Sequence, residues 1–218
     1  MLSRRDAAYI TGFCEGDGSV GMDRSFPYVS FAQTGQETLR YIESLLPGGI
    51  WCEGSYQNGK LWVLRYNKVE LRDVLLGYLS EHTVSTRFTS RLNEVLAYLG
   101  LSQVAGHIPT ISWLAGFFDA DGTVVNNTNC GVSVSQKERD VLNVVCGVFG
   151  GHVTSQGSHM FQWYAGKRKS NLVVLASGLH SCSHNSKKQQ ALAGLLTRLW
   201  VEDRKICEEV ITPLLTLS

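Results

Sequence analysis

The chain lacks the features that would place it in several large classes. Its 218 residues include only 4 prolines and 3 methionines, and no Cys-x-x-C pair sets any of its 6 cysteines at a metal or redox spacing. No apolar run approaches the ~20 residues of a membrane span, so no transmembrane role is expected. An excess of one charge is missing too. Twenty Lys and Arg oppose 19 Asp and Glu for a net +1, whereas a nucleic-acid binder recognisable from bulk charge is far more basic. The opening residues, Met1 to Arg5 followed at once by Asp6, do not read as a secretory leader. What is present is a hydrophobic content of 44%, enough for a packed core and too high for disorder, in a length that suits one large domain or two small ones.

The balanced charge hides an asymmetry. Between Val141 and Val201 lie Lys167, Arg168, Lys169, Lys187, Lys188 and Arg198 with no Asp or Glu, so a locally basic surface is expected. Cys14, Cys52, Cys130, Cys146, Cys182 and Cys207 stand mostly among apolar neighbours and read as reduced core thiols. His180, Cys182 and His184 could be half a zinc site, but no second pair completes it.

The chain repeats itself. Ile10-Thr-Gly-Phe-Cys-Glu-Gly-Asp-Gly18 is echoed by Leu114-Ala-Gly-Phe-Phe-Asp-Ala-Asp-Gly122, which sets Asp17 and Asp121 104 residues apart. Gln33 and Gln136, each ending a strand-like run, recur at an offset of 103, and Arg87 with the apolar stripe Leu92, Val95, Leu96 recurs as Lys187 with Leu192, Leu195, Leu196 at an offset of 100. Three landmarks in one order indicate duplication. The boundaries are 1–100 for the first repeat, 101–110 for a linker containing Gly106 and Pro109, and 111–218 for the second.

Within each repeat the hydrophobic period switches between helix and strand in the order αββαββα. Helices are expected near 6–17, 36–46, 69–80, 86–99, 111–121, 138–149, 170–178 and 186–205, and strands near 19–24, 27–33, 49–53, 60–66, 123–127, 130–136, 151–156 and 160–165. A short last helix is expected over 208–217, and Ser112 is a candidate cap in place of Thr110. The class is α+β, with two antiparallel four-stranded sheets, each covered by helices on one face, forming a saddle. Trp51, Trp62, Trp113 and Trp163 fall in core phase.

Gly12 and Gly16, like Gly116 and Ala120, lie four apart on one helix face, where missing bulk lets two backbones approach. Gly18 and Gly122 suit a left-handed residue past each helix end. Pairing these faces brings Asp17 and Asp121 together at the negative ends of two helix dipoles, an arrangement that a cation relieves. All-oxygen ligation suits Mg²⁺ and phosphodiester hydrolysis. A lone Asp before Gly would more simply be a turn residue; the matched pair argues otherwise.

These paired motifs resemble those of the LAGLIDADG homing endonucleases, in their single-chain, two-motif class. The resemblance implies a site-specific enzyme making double-strand breaks with 3′ overhangs in a long asymmetric duplex DNA target, acting as a monomer. It implies Asp17 and Asp121 as metal-binding catalytic acids, assisted by the carbonyls of Gly16 and Ala120. Gln33 and Gln136 fall where the family orders water or the metal shell, and Arg87 and Lys187 where it places basic residues near the scissile phosphates, with Lys188 or Arg91 as alternatives. Mg²⁺ is the expected cofactor, Mn²⁺ a substitute, and Ca²⁺ an ion that supports binding without cleavage. The expected compartment is the organelle or prokaryotic cytoplasm whose genome encodes the chain. Thr11, Cys14 and Glu15 depart from the usual motif without removing a ligand. An RNA maturase or a DNA-binding regulator on the same scaffold stays open.

The free sheet faces are expected to read DNA in the major groove. Strand alternation nominates Asp23, Tyr28, Ser30, Gln57, Lys60 and Arg65 in the first repeat. In the second it nominates Asn127, Ser133, Gln156, Gln162 and Tyr164, with Lys167 and Arg168 near the DNA backbone.

Overall fold

The Gly-rich motifs form two helices that start from polar caps and end at the strands they feed. A computed structural model describes residues 2–57, 59–126, 129–166 and 169–202. Helix α1 (Arg4–Asp17) opens on Ser3, whose hydroxyl accepts the Asp6 N–H at 3.1 Å. Its counterpart α5 (Ile111–Asp121) opens on Thr110, which accepts the Trp113 N–H at 3.2 Å, so Thr110 and not Ser112 is the cap. Ser112 lies inside the first turn, where it is buried.

The first repeat continues with β1 (Gly18–Asp23), β2 (Phe26–Gln33), α2 (Glu37–Leu45), β3 (Ile50–Tyr56), β4 (Gly59–Tyr66), α3 (Val69–His82) and α4 (Thr86–Tyr98). The second, beyond α5, has β5 (Gly122–Val125), β6 (Gly131–Gln136), α6 (Arg139–Phe149), β7 (His152–Ser155), β8 (Phe161–Ala165), α7 (Lys169–Cys182) and α8 (Ser186–Glu202). The αββαββα unit thus recurs, and each copy carries one further helix. The helix expected over 208–217 lies outside the described residues.

Each sheet is antiparallel, in the orders β1-β2-β4-β3 and β5-β6-β8-β7. One face of each packs on helices through Val29, Phe31, Leu64 and Tyr66 in the first repeat and Val132, Val134 and Trp163 in the second, all at most 1% exposed. Trp113 is buried with them, while Trp51 on the edge strand β3 and Trp62 on the inner strand β4 are half-buried. Cys14, Cys130 and Cys182 are buried thiols; Cys52 is exposed, and Cys207 lies outside the described residues.

Helices α1 and α5 cross backbone on backbone. A Cβ on Gly12 would fall on the carbonyl oxygen of Trp113, and one on Gly116 on that of Tyr9. Gly18 and Gly122 correct an expectation. Their backbone is extended (φ −114° and −80°), because each strand departs directly from its helix. Glycine is needed there for space: a Cβ on Gly18 would lie 2.6 Å from Cys14 Cα and Sγ, and one on Gly122 would enter the Phe118 ring. Among the described residues no helix is long and apolar enough to cross a membrane.

Candidate active site

The crossing of α1 and α5 delivers the two motif aspartates to one place. A Cβ on Gly16 would lie 3.2 Å from Asp121 Oδ2, and the charge of Asp17 acts on Asp121 directly. Each carboxylate receives an amide from the end of its own repeat's central strand. Gln33 Nε2 donates to Asp17 Oδ2 at 2.7 Å, and Gln136 Nε2 donates to Asp121 Oδ2. Gln33 also donates to the carbonyl of Asp119 in the other repeat at 3.1 Å, so its amide ties the two halves.

Burial pushes both acids up. Asp121 rises to about 7, first by desolvation and then by repulsion from Asp17; Asp17 rises by desolvation, countered by Gln33 and Lys188. Without a cation, the site therefore holds two full negative charges poorly near neutral pH. Beside it opens a cleft of about 310 Å³ lined by Gly16, Asp121, Gln136, Arg87 and Arg91.

The basic residue at this centre is Lys188, and the assignment to Lys187 is corrected. Lys188 Nζ donates to the carbonyls of Phe118 (2.6 Å), Asp119 (2.7 Å) and Ala120 (3.2 Å), while Lys187 points to solvent. Both lie near the start of α8, and a single residue rotates the side chain by roughly 100°. Arg87 lines the cleft but is ion-paired with Glu138, and Arg91 lines it as well.

Two buried-side acids two residues before the aspartates are further parts of the assembly. Glu15 accepts the N–H groups of Val84 (2.7 Å) and Ser85 (2.6 Å), pinning the turn before α4, and desolvation raises its pKa to about 7. Asp119, 0% exposed, accepts Ser183 Oγ (2.6 Å), the His184 N–H (2.7 Å) and the Tyr9 hydroxyl (2.6 Å), pinning the turn before α8. An acid on the apolar stretch of each motif helix was the readable signal. His184 packs on Tyr41 and Tyr9, and among the described residues no group of three or more His, Cys, Asp or Glu side chains that could hold a metal ion is found.

On the free face of the first sheet, register places Asp23, Tyr28, Ser30 and Arg65 together. Arg65 bonds Asp23 at 2.8 Å and lies over the Tyr28 ring at 4.2 Å. Lys60 is corrected: it shares the parity of Trp62 and Leu64, so it belongs to the other face, where it pairs with Glu53 at 3.0 Å. Gln57 sits at the hairpin tip. In the second sheet Ser133, Gln162 and Tyr164 share the free face, but Ser133 is only 2% exposed, between Thr123 and Tyr164 on neighbouring strands. Gln156 follows β7 and donates to Gln162 at 2.9 Å. Asn127, Lys167 and Arg168 lie outside the described residues. The expected basic surface is also reduced. Glu202, just past the acid-free stretch, approaches Arg198 at 2.6 Å and Lys169 at 3.7 Å, and Lys188 is spent on a helix end.

Two acid-tipped helices thus cross between two four-stranded antiparallel sheets. Residues 109–148 match the family model described as the LAGLIDADG-like domain. No curated protein matches the chain by sequence. Among solved structures, I-SmaMI bound to uncleaved DNA with calcium ions is 12% identical with a TM-score of 0.65, covering 100% of this chain and 98% of its own. The LAGLIDADG meganuclease I-AabMI bound to uncleaved DNA is 16% identical (TM-score 0.65, 96% of each chain), and the homing endonuclease I-LtrWI bound to target DNA is 10% identical (TM-score 0.64, 97% and 96%). The resemblance stated from the paired motifs is met by the family match in the second repeat and by the fold of the whole chain.

Proposed function

We propose that this protein is a site-specific, divalent-metal-dependent endonuclease that cuts both strands of a long asymmetric DNA site and leaves 3′ overhangs. The observation that carries the reading is the meeting of Asp17 and Asp121, one from each repeat, at the ends of paired helices. The DNA complexes of I-SmaMI, I-AabMI and I-LtrWI, which share this fold, support a duplex as the partner. One chain supplies both acids, so a monomer suffices.

The donor set fits a hard divalent ion. The two carboxylates and the helix-end carbonyls of Gly16 and Ala120 are all oxygen, and the upward shift of both acids is what a cation would relieve. Bound there, Mg²⁺ would supply Lewis acidity and activate water for attack on phosphorus; Mn²⁺ would substitute, and Ca²⁺ would support binding only. Asp17 and Asp121 would hold the ion. Gln33 and Gln136 fix the carboxylates through the amide bonds above, leaving fewer orientations to order when substrate arrives. Asp23, Tyr28, Ser30 and Arg65, with Gln162 and Tyr164, supply the polar groups of the two free faces for base edges and phosphates.

Selection of cleaved sites from a randomised DNA library in Mg²⁺ tests the reading. Recurrent double-strand cuts at one long sequence are expected. DNA binding with no cleavage in Mg²⁺ or Mn²⁺ would overturn it in favour of a binding module.

A further inference from the structure

The two repeats set rows of different chemistry beside the same landmark. Gln33 and Gln136 end β2 and β6, and one residue earlier each strand turns its side chain to the free face. In the first sheet Ala32 stands opposite Val63, and Val63 opposite Cys52 on the edge strand. In the second sheet the same register sets Ser135 opposite Gln162, and Gln162 opposite Thr154. The first row is apolar across its three strands, and the second is polar across its three. Cys52 and Thr154 are exposed, while Ala32, Val63, Ser135 and Gln162 are half-buried. The first row is no part of the core, because the alternate residues Phe31 and Leu64, both fully buried, take the helix-covered face. Ile50, 42% exposed, extends the apolar row beside Arg65, where the second sheet has His152 beside Tyr164.

We infer that Ala32, Val63 and Cys52, with Ile50, select thymine in the half of the target held by the first repeat by covering its C5-methyl group, whereas the matching row of the second repeat reads its half through hydrogen bonds. The inference rests on the DNA-binding reading above and adds to it the base preference of one half-site. In the major groove thymine is the base whose edge carries a methyl group; cytosine, guanine and adenine present only donors and acceptors there. An apolar row that closes on the cytosine amine or the guanine acceptors strips their water and returns no hydrogen bond, which is unfavourable. Closing on a methyl group removes apolar surface from water on both sides, which is favourable. Ser30 and Arg65 follow on the same face and supply polar contacts next to the apolar ones. Equal rows in the two repeats would read the same base at matching positions of the two halves. These unequal rows make the target asymmetric there.

The test selects duplexes that the full chain binds in Ca²⁺ from a randomised DNA library, then replaces thymine by deoxyuridine in the selected duplex, one half at a time. Uracil keeps every hydrogen-bonding group of thymine and lacks only the methyl. Thymine is expected to be enriched in one half at positions whose counterparts in the other half do not favour it. Uracil at those positions should weaken binding about three- to tenfold, the scale of a lost methyl contact or two. In the variant combining Ala32→Ser, Val63→Gln and Cys52→Thr, which copies the second row into the first sheet, the uracil penalty disappears. Cys52→Ser alone, at an exposed position, reduces it and serves should the triple variant fold poorly. Equal affinity of the wild type for thymine and uracil duplexes, a penalty equal in the two halves, or a penalty that the row variants leave unchanged would overturn the inference while leaving site-specific binding intact. If the library yields no bound sequence, the DNA-binding reading itself fails and the inference falls with it.

Discussion

Glu37 in the first repeat caps a helix of the second: its Oε2 accepts the N–H of Ser186 at 2.9 Å and the hydroxyl of the same residue at 2.8 Å, at the first residue of α8. The reverse contact exists as well, with Asp140 of α6 accepting the Thr86 N–H at 3.2 Å at the start of α4. Each repeat therefore satisfies an orphan donor of the other, beyond the α1–α5 crossing. Glu37→Ala is expected to cost about 1 kcal/mol by the usual loss of a helix cap. Asp140→Ala, which loses one bond rather than two, costs less. Urea denaturation of both variants checks the order.

The seam between α1 and α5 tolerates no side chain at its crossing. Gly116→Ala would force the helices apart against a backbone carbonyl, which cannot rotate away. The expected loss is about 3 kcal/mol, at the upper end of overpacking costs. Gly77→Ala, at a helix position where a Cβ meets nothing within 4 Å, serves as the control and should be neutral or stabilising.

Asp119 is expected to matter more to stability than its neighbours in sequence suggest. Asp119→Ala leaves the Tyr9 hydroxyl and the His184 N–H without their acceptor in a buried site. Unsatisfied groups of this kind cost about 1–3 kcal/mol each, so a loss of about 3 kcal/mol in total is expected. Asp119→Asn, which keeps one acceptor oxygen, should recover part of it. Chemical denaturation of the two variants side by side is the measurement.

The metal-free protein should lose stability as pH rises toward neutrality. Asp121 has an ordinary value of 3.8 and a folded value of about 7, so the fold binds more protons than the unfolded chain between them. Its stabilising contribution is present below the unfolded value and is lost as pH rises through about 7. Asp17, Asp119 and Glu15 are raised in the same direction. Melting temperatures in chelator should therefore fall between about pH 5 and pH 8, and fall less in Asp121→Asn. A melting temperature that climbs over this range would contradict the burial of these acids.

The order of elements was legible because the hydrophobic period alone changes between 2 and 3.6 at each boundary, and α5 spans the expected 111–121. The close approach of α1 and α5 was legible in the four-residue spacing of Gly12 and Gly16 and of Gly116 and Ala120. Side-chain direction near element starts was not. Lys188 faces the site because α8 begins at Ser186, and that start is fixed in part by Glu37, about 150 residues away in sequence. Lys60 and Arg65, five residues apart on one strand, cannot share a face under strict alternation, and the register puts Arg65 on the free one. Glu202 stood one residue outside the acid-free stretch, and only the packing of α8 beside α7 brings it to Lys169. Ser133 has the right parity but is covered by neighbours on two other strands, which its own strand's pattern does not record.

The central claim is that Asp17 and Asp121 act in one shared site. The most direct test is double-strand cleavage in Mg²⁺ of the selected DNA target by Asp17→Asn and by Asp121→Asn, alongside duplex affinity in Ca²⁺ and melting in chelator. The account predicts that double-strand cleavage collapses in both variants, that affinity is kept or improved, and that both melt higher than the wild type because two like charges at helix ends are no longer held together. A variant that melts lower, binds poorly and still cuts both strands would make these aspartates structural caps and contradict the account.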